Sequence, residues 1–226
     1  MFDSNWDLIN GDDAHAIEVL NQASQVNQIE AIVRFFTHHD QSPGASCALC
    51  PNQNILRELH RTGTLFLLAT PGAYRPEGCE VYVPRQDGSK HQAPSQDKTQ
   101  GLMDEFEAEL QAMWPNATAI EAAAFALWKI NWIHPFKNGN GRTARAFAYT
   151  CVCLKAGMML PGVETMVDLI TKNRPDFYAC LAVADATFEE TGAADLGPLQ
   201  EYLMGLLVRQ LESIPAPADA GPAELA

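Results

Sequence analysis

The segment from His134 to Arg145 combines residue types that could bind and transfer a phosphate-containing group. Gly139 and Gly141 flank Asn140 just ahead of a stretch with helical spacing. Glycines at such a turn let backbone N–H groups converge on a ligand, and the N-terminus of the following helix adds the positive end of its dipole. This arrangement is typical of a loop that cradles phosphate.

The charged side chains of the same segment fit this chemistry. Arg142 and Arg145 are three residues apart, on one face of the first helical turn, where two guanidiniums can chelate a di- or triphosphate. His134 can accept a proton near neutral pH. A Gly-rich turn with two solvated arginines and a structural histidine is the alternative, and the complete constellation argues against it.

The charge distribution marks this part of the chain as an exception. The protein has 226 residues and a formal net charge of −13. Residues 122–163 contain no Asp or Glu and sum to +5, so the remainder sums to −18. A basic island in an acidic protein indicates a site for a small anion, although a mostly buried helix pair without acids gives the same pattern.

The composition restricts the classes of partner. A 47% apolar content is typical of a globular protein. The acidic balance excludes general nucleic-acid binding and disfavours an anionic membrane surface. The sequence shows no apolar run of membrane-spanning length and no Sec-type signal peptide. We therefore expect a cytoplasmic protein, or an effector delivered by a specialised secretion system.

The elements around the segment are predicted to be mainly helical, with one β-hairpin. Cys79–Pro84 alternates apolar and polar residues and Asp87-Gly88 follows, which predicts a hairpin with a weak return strand over 89–93. Thr118 and Glu121 form a capping-box pattern. Helical spacing covers residues 14–20, 24–38, 54–68, 96–113, 118–132, 142–155, 174–186 and 196–211.

The His134–Arg145 segment resembles the signature of Fic-domain proteins, His-Pro-Phe-x-(Asp/Glu)-Gly-Asn-Gly-Arg-x-x-Arg. The resemblance extends from about Ile55 to Leu211. It implies a mainly α Fic fold, a helical core with one β-hairpin flap, over residues 51–213. Residues 1–50 would be an N-terminal helical extension and 214–226 a disordered tail. The other matching stretches are Leu59-His60-Arg61, Pro71-Gly72-Ala73-Tyr74-Arg75, and Asn173-Arg174-Pro175-Asp176-Phe177-Tyr178 with Ala184-Asp185.

The resemblance implies a protein adenylyltransferase, which moves AMP from ATP to a Ser, Thr or Tyr hydroxyl of a target protein and releases pyrophosphate. His134 would be the general base. The backbone of Gly139, Asn140 and Gly141 would form the anion hole, with Arg142 near the β-phosphate and Arg145 near the γ-phosphate. Members of the fold also transfer UMP, phosphocholine or phosphate, and many form homodimers.

Two further sets of residues take roles from the resemblance. Tyr178 and Asp185 match positions that line the adenine pocket, and their spacing puts both on one helix face. A core tyrosine and a solvated aspartate are the alternative. Val81-Tyr82-Val83 corresponds to the flap, whose open strand edge would receive the target by β-augmentation. The alternative is a hairpin without a binding role.

Asn138 departs from the signature, which has Asp or Glu at this position to hold Mg²⁺. An amide oxygen can ligate Mg²⁺ but brings no negative charge, so we expect Asn138 to bind the metal weakly. This departure keeps a second function open, a nucleotide-binding regulatory module with weak or no catalysis.

Two other features are weighed beside the signature. Many Fic proteins have an inhibitory helix, Ser/Thr-x-x-x-Glu-Gly/Asn, whose glutamate pairs with the second signature arginine. The nearest match here is Glu30, with Val26 and Ala31 departing from the flanking positions, so a Glu30–Arg145 pair is a hypothesis beside an ordinary solvated glutamate. Cys47 and Cys50 form a single C-x-x-C that could belong to a metal or redox site.

Overall fold

The computed structural model describes residues 6–40, 50–84 and 90–214. These residues form a mainly helical fold with one small antiparallel sheet, which confirms the predicted fold class. None of the described helices is long and apolar enough to cross a lipid bilayer. The elements are α1 (Gly11–Asp40), α2 (Gln53–Thr64), β1 (Tyr82–Pro84), β2 (Lys90–Gln92), a 3-10 turn (Gln96–Lys98), α3 (Thr99–Met113), α4 (Ala119–Ile133), α5 (Asn140–Ala156), α6 (Met166–Lys172), α7 (Arg174–Thr191) and α8 (Gly197–Glu212).

Helices α4 and α5 pack against each other at the centre of the molecule. Both helices bury several alanines, whose small side chains allow close packing of neighbouring backbones. The predicted capping box at Thr118 and Glu121 starts α4. The core of this helix pair is surrounded by α2, α3, α6, α7 and α8, and it includes Ile29 and Val33 of α1.

The N-terminal part differs from the prediction, because the two helices expected over 14–20 and 24–38 are one helix, α1. No Gly or Pro interrupts the chain between them. Asn21 and Gln25 are buried in this stretch, and their amides donate to the carbonyls of Leu65 (2.8 Å) and Leu59 (2.7 Å). Because these hydrogen bonds satisfy their amides, Asn21 and Gln25 can be buried on the face of α1 that packs against α2.

A second, smaller apolar cluster attaches the segment before α1 to the loop after α2. Its members are Trp6, Ala14, Leu67 and Leu68. The backbone N–H groups of Asp7 and Leu8 both donate to the carbonyl of Leu67. These contacts bring residues 6–8 to the same end of the bundle as the start of α5. The predicted tail, apart from residue 214, and Cys47 lie outside the described residues.

Candidate functional site

The loop between α4 and α5 is held by its own side chains. Asn140 is buried, its Oδ1 accepts from the N–H of Phe136 at 2.8 Å, and its Nδ2 donates to the carbonyl of Phe136 at 2.8 Å. Phe136 is fully buried and anchors the loop in the core. The side-chain amide of Asn140 offers both an acceptor and a donor, and its two hydrogen bonds to Phe136 close the five-residue turn between them.

His60 of α2 supports the same loop from outside. The N–H of Gly72 donates to His60 Nδ1 at 2.8 Å, so the ring proton lies on Nε2, which donates to the carbonyl of Asn138 at 2.9 Å. The imidazole stacks on Phe136 with 3.7 Å between ring centroids. Burial lowers the pKa of His60 to about 4, so the ring is neutral at pH 7. In the sequence His60 is only one residue of a stretch that matches the family, and no local pattern indicates this role.

His134 ends α4 in the left-handed conformation, with φ 53° and ψ 56°. For a non-glycine residue this conformation costs roughly 1–2 kcal/mol and is typical of functional sites. Its Nδ1 donates to the carbonyl of Asn131 at 3.2 Å, which leaves Nε2 as the proton acceptor. Burial lowers the pKa of His134 to about 4, the Asn131 carbonyl opposes that shift, and nearby Arg75 and His91 add to it. The ring is therefore neutral at pH 7, the state that a general base requires.

Gly139, just before α5, lies where a larger residue would clash with α2. Gly139 has φ 76°, and a Cβ there would lie 2.6 Å from Cγ2 of Thr64. The N–H of Gly139 donates to Oδ1 of its neighbour Asn138 at 2.6 Å. An anion bound at Gly139–Gly141 would have to compete with that amide oxygen for the Gly139 N–H.

Arg142 is held by the N-terminal part of the chain. Its guanidinium donates to the carbonyl of Gly63 at 2.8 Å, lies 3.3 Å from Oε1 of Glu18, and sits over the Trp6 ring at 5.2 Å. Glu18 is 3% exposed and also accepts from Nε1 of Trp6 at 2.7 Å. A buried carboxylate thus already contacts the arginine that the sequence assigned to phosphate.

Glu18 and Trp6 were not predicted from the sequence as residues of the site. Glu18, Asn21 and Gln25 recur at helical spacing along one face of α1, and all three are buried. The sequence pattern that could have indicated Glu18 is this row of polar residues at helical spacing, which continues the row of apolar residues on the same helix.

In the structure Glu30 contacts Arg34 on its own helix, and its inhibitory pairing with Arg145 stays a prediction. Glu30 lies on α1 with its carboxylate 2.5 Å from Nη2 of Arg34, one turn along the same exposed face. Pairing at i and i+4 within a helix is the ordinary arrangement for such residues. Arg145 itself lies on α5 beside Gly141 and lines a small apolar cavity between α4, α5, α6 and α8.

The predicted adenine residues lie on α7. Asp185 accepts from Nε1 of Trp128 at 3.1 Å, which ties α7 to α4. Tyr178 is exposed, and its ring lies 5.5 Å from that of Phe177. The adenine role of both residues remains a prediction.

The predicted flap is an antiparallel hairpin in the register Tyr82–Gln92, Val83–His91 and Pro84–Lys90. Strand β1 begins at Tyr82, and Val81 precedes it and accepts from the N–H of Ala93 at 3.1 Å. Because the sheet has only two strands within the described residues, β1 keeps an outer edge open, with Tyr82 53% exposed. Nε2 of buried His91 donates to the carbonyl of Trp132 at 3.1 Å, so the flap is fastened to the end of α4.

Asn138 as it stands does not fit a site for Mg²⁺. Its amide oxygen is turned onto the Gly139 N–H, and an amide supplies one neutral oxygen where hard cations favour carboxylates. Among the residues that the structure describes, no cluster of three or more His, Cys, Asp or Glu side chains could hold a metal ion.

Comparisons with known proteins agree with this geometry. Residues 50–152 match the family model described as Fic/DOC family. The proteins named protein adenylyltransferase fic-1 from Caenorhabditis elegans and Caenorhabditis briggsae are each 37% identical over 84 residues, which is 37% of this chain and 14% of the relative. The match thus spans about a seventh of the length of these relatives.

Solved structures share the fold. A Fic domain containing signaling protein from Bacteroides thetaiotaomicron has a TM-score of 0.64 at 21% identity, covering 86% of this chain and 69% of its own. Fic-1 from C. elegans, residues 134–508, has a TM-score of 0.58 at 22% identity, covering 83% and 49%. Residues 50–152 are therefore similar to the Fic/DOC family, and the solved structures share the fold of the chain.

Proposed function

We propose that the protein is an adenylyltransferase that transfers AMP from ATP to a hydroxyl group of a target protein. The observation that carries this proposal is His134, a neutral imidazole with its Nε2 available as acceptor, next to a helix start with two arginines one turn apart. The Caenorhabditis relatives are named protein adenylyltransferase, which supports AMP as the transferred group.

In the proposed reaction, the target hydroxyl gives its proton to Nε2 of His134 as its oxygen attacks the α-phosphorus. A new oxygen–phosphorus bond forms, the bond from the α-phosphorus to the bridging oxygen breaks, and pyrophosphate leaves with that bond pair. Arg142, Arg145 and the N-terminus of α5 stabilise the charge on the phosphates. In this proposal the chain catalyses transfer by positioning the hydroxyl and the nucleotide and by stabilising the phosphate charge with side chains that are already in place.

The target would bind at the flap. The outer edge of β1 offers backbone N–H and C=O groups that an extended segment can pair with. His91 fastens β2 to the carbonyl of Trp132, two residues before His134. A segment added to the flap would therefore be carried close to the general base.

A nucleotide-binding regulatory module is the second candidate. Two observations favour it: Glu18 contacts Arg142, and Asn138 replaces the acid of the signature with an amide that is bonded to Gly139. Both features would slow transfer, because Asn138 would hold a metal weakly and Glu18 occupies an arginine that would stabilise the leaving phosphates.

Transfer from ATP labelled in the α-phosphate separates the two candidates. The protein is incubated with labelled ATP and Mg²⁺ in a lysate, beside His134→Ala as the matched control. We expect label on protein with the wild type and a loss of about 10²–10⁴-fold in rate with the variant. ATP binding without label would favour the regulatory module. Parallel reactions with UTP, CTP, GTP, CDP-choline and γ-labelled ATP test the other groups that the fold transfers.

A further inference from the structure

Arg75 is a buried arginine that no part of the proposed reaction uses. It is 2% exposed and lies in the loop between α2 and β1. Its Nη1 donates to the carbonyl of Cys79 at 3.0 Å, and its Nη2 donates to the carbonyl of Pro94 at 2.7 Å and to Oγ1 of Thr99 at 3.2 Å. Cys79 precedes β1 and Pro94 follows β2, so a single guanidinium holds both ends of the flap.

The same residue contacts both neighbours of His134. Its Nη2 lies 3.5 Å from the carbonyl of Ile133, and its backbone N–H donates to the carbonyl of Pro135 at 2.8 Å. His134 between them has the left-handed conformation that an unsupported non-glycine residue avoids. Arg75 thus joins the base of the flap to the two peptide units that orient the imidazole.

The charge of Arg75 has an unusual setting. Among the described residues, its hydrogen-bond partners are carbonyl and hydroxyl oxygens and none is a carboxylate. Cys79 and Glu80 are the titratable groups that act on it, and Glu80 is exposed. Arg75 and His91 are the charged and titratable groups that act on His134. Burial is the main cause of the low pKa of His134, and the nearby positive charge of Arg75 lowers it further.

We propose that Arg75 is a positioning residue that fixes the flap against the two peptide units flanking His134, so that a bound target hydroxyl meets Nε2 in a set geometry. The proposal rests on the proposed function, because it assigns the flap to the target and His134 to the proton. A planar guanidinium suits this task, since its donors point in fixed directions to several carbonyls at once.

Two variants and one control test the role. Arg75→Gln removes the charge and most of the hydrogen-bond donors, whereas Arg75→Lys keeps the charge but loses the planar arrangement of donors. Arg57→Gln is the control, because Arg57 anchors the same loop through the carbonyl of Gly72 at 2.9 Å and makes no contact with the flanks of His134. Thermal unfolding establishes that each variant is folded.

The first measurement needs no transferase activity. In protein labelled with ¹⁵N-histidine, the ring signals of His134 are assigned by their loss in His134→Ala and titrated with pH. We expect the pKa of His134, about 4 in the wild type, to rise in Arg75→Gln and to stay low in Arg75→Lys and Arg57→Gln. An unchanged titration in folded Arg75→Gln would overturn the electrostatic part, whether or not the wild type transfers AMP.

The second measurement is transfer to a protein target as a function of pH. We expect kcat to fall by about 10–100-fold in Arg75→Gln, with the KM for ATP unchanged and the acid limb of kcat/KM moved to higher pH. Arg75→Lys should recover part of kcat and keep the wild-type acid limb. If Arg75→Gln does not fold, wild-type kcat in Arg75→Lys would reject the positioning role. A wild type without transfer, but with the expected titration, would reject the proposed function alone.

Discussion

The contact between Glu18 and Arg142 leads to the sharpest prediction about the site. Glu18 is 3% exposed and lies 3.3 Å from Nη2 of Arg142, whose side chain is 20% exposed. A phosphate that uses Arg142 must displace this carboxylate. We expect Glu18→Gln to strengthen ATP binding, because glutamine still accepts the 2.7 Å hydrogen bond from Trp6 but no longer opposes the phosphate charge.

The size of the effect follows from the kind of bond. A hydrogen bond to a charged group contributes about 1.5–3 kcal/mol, and each 1.4 kcal/mol is about tenfold in affinity. The guanidinium keeps its 2.8 Å bond to the carbonyl of Gly63 and its position over Trp6, so its orientation survives. We therefore expect the Kd for ATP to fall by about 10–100-fold and the free energy of unfolding to fall by about 1–3 kcal/mol.

Calorimetric titration with ATP and urea denaturation measure the two effects. Glu164→Gln is the control, because it removes the same charge from an exposed pair with Lys172 that contributes about 0–1 kcal/mol and follows the C-terminal end of α5, away from Arg142 near its start. The control should bind ATP as the wild type does. Folded Glu18→Gln with unchanged or weaker ATP binding would show that Glu18 does not compete with phosphate for Arg142.

Three further outcomes follow from the structure. Asn138→Asp should lower the Mg²⁺ concentration that gives half-maximal transfer, because a carboxylate attracts a hard cation more strongly than an amide does. An unchanged half-maximal concentration in a metal titration would contradict this. Asn140→Ala should lower the free energy of unfolding by about 2–4 kcal/mol, since both bonds to Phe136 are buried, and urea denaturation checks it. The free energy of unfolding should decrease as the pH is lowered from about 6.5 to 4, because His60 and His134 have pKa values of about 4 in the folded protein, whereas in the unfolded chain they already bind protons near pH 6.5. His60→Gln should reduce the slope of this decrease by up to about 1.4 kcal/mol per pH unit, which urea denaturation at several pH values measures.

What could be predicted from the sequence is what depends on local spacing. The sequence predicts a glycine turn ahead of α5, and in the structure Gly139 has there the positive φ of 76° that favours glycine. The start of α4 and the hairpin are also set by neighbouring residues. These features were predicted correctly, because the contacts that create them lie within a few residues of each other.

What could not be predicted depends on distant partners. His60 is 78 residues from the Asn138 carbonyl that it holds, and Gly63 is 79 residues from Arg142. The contact between Glu18 and Arg142 is of the same kind, because it depends on how α1 packs on α2 and α5, which the local sequence does not show.

The charge of the site also depends on tertiary contacts. The sequence predicted an island of +5 around the loop, yet carboxylates from elsewhere lie on three of its cations: Asp7 on Lys137 at 2.5 Å, Glu18 on Arg142 at 3.3 Å and Glu109 on Lys129 at 3.5 Å. Two of these carboxylates, Asp7 and Glu18, belong to the segment around Trp6 that is attached through Leu67 and Leu68. With that segment in place, the attraction of the loop for a polyphosphate is reduced, because Coulomb energies within about 4 Å at a partly buried site amount to several kcal/mol. The affinity of the site for a nucleotide is therefore coupled to the attachment of residues 6–18, and a change that loosens their apolar contacts should act on phosphate binding without touching the loop itself.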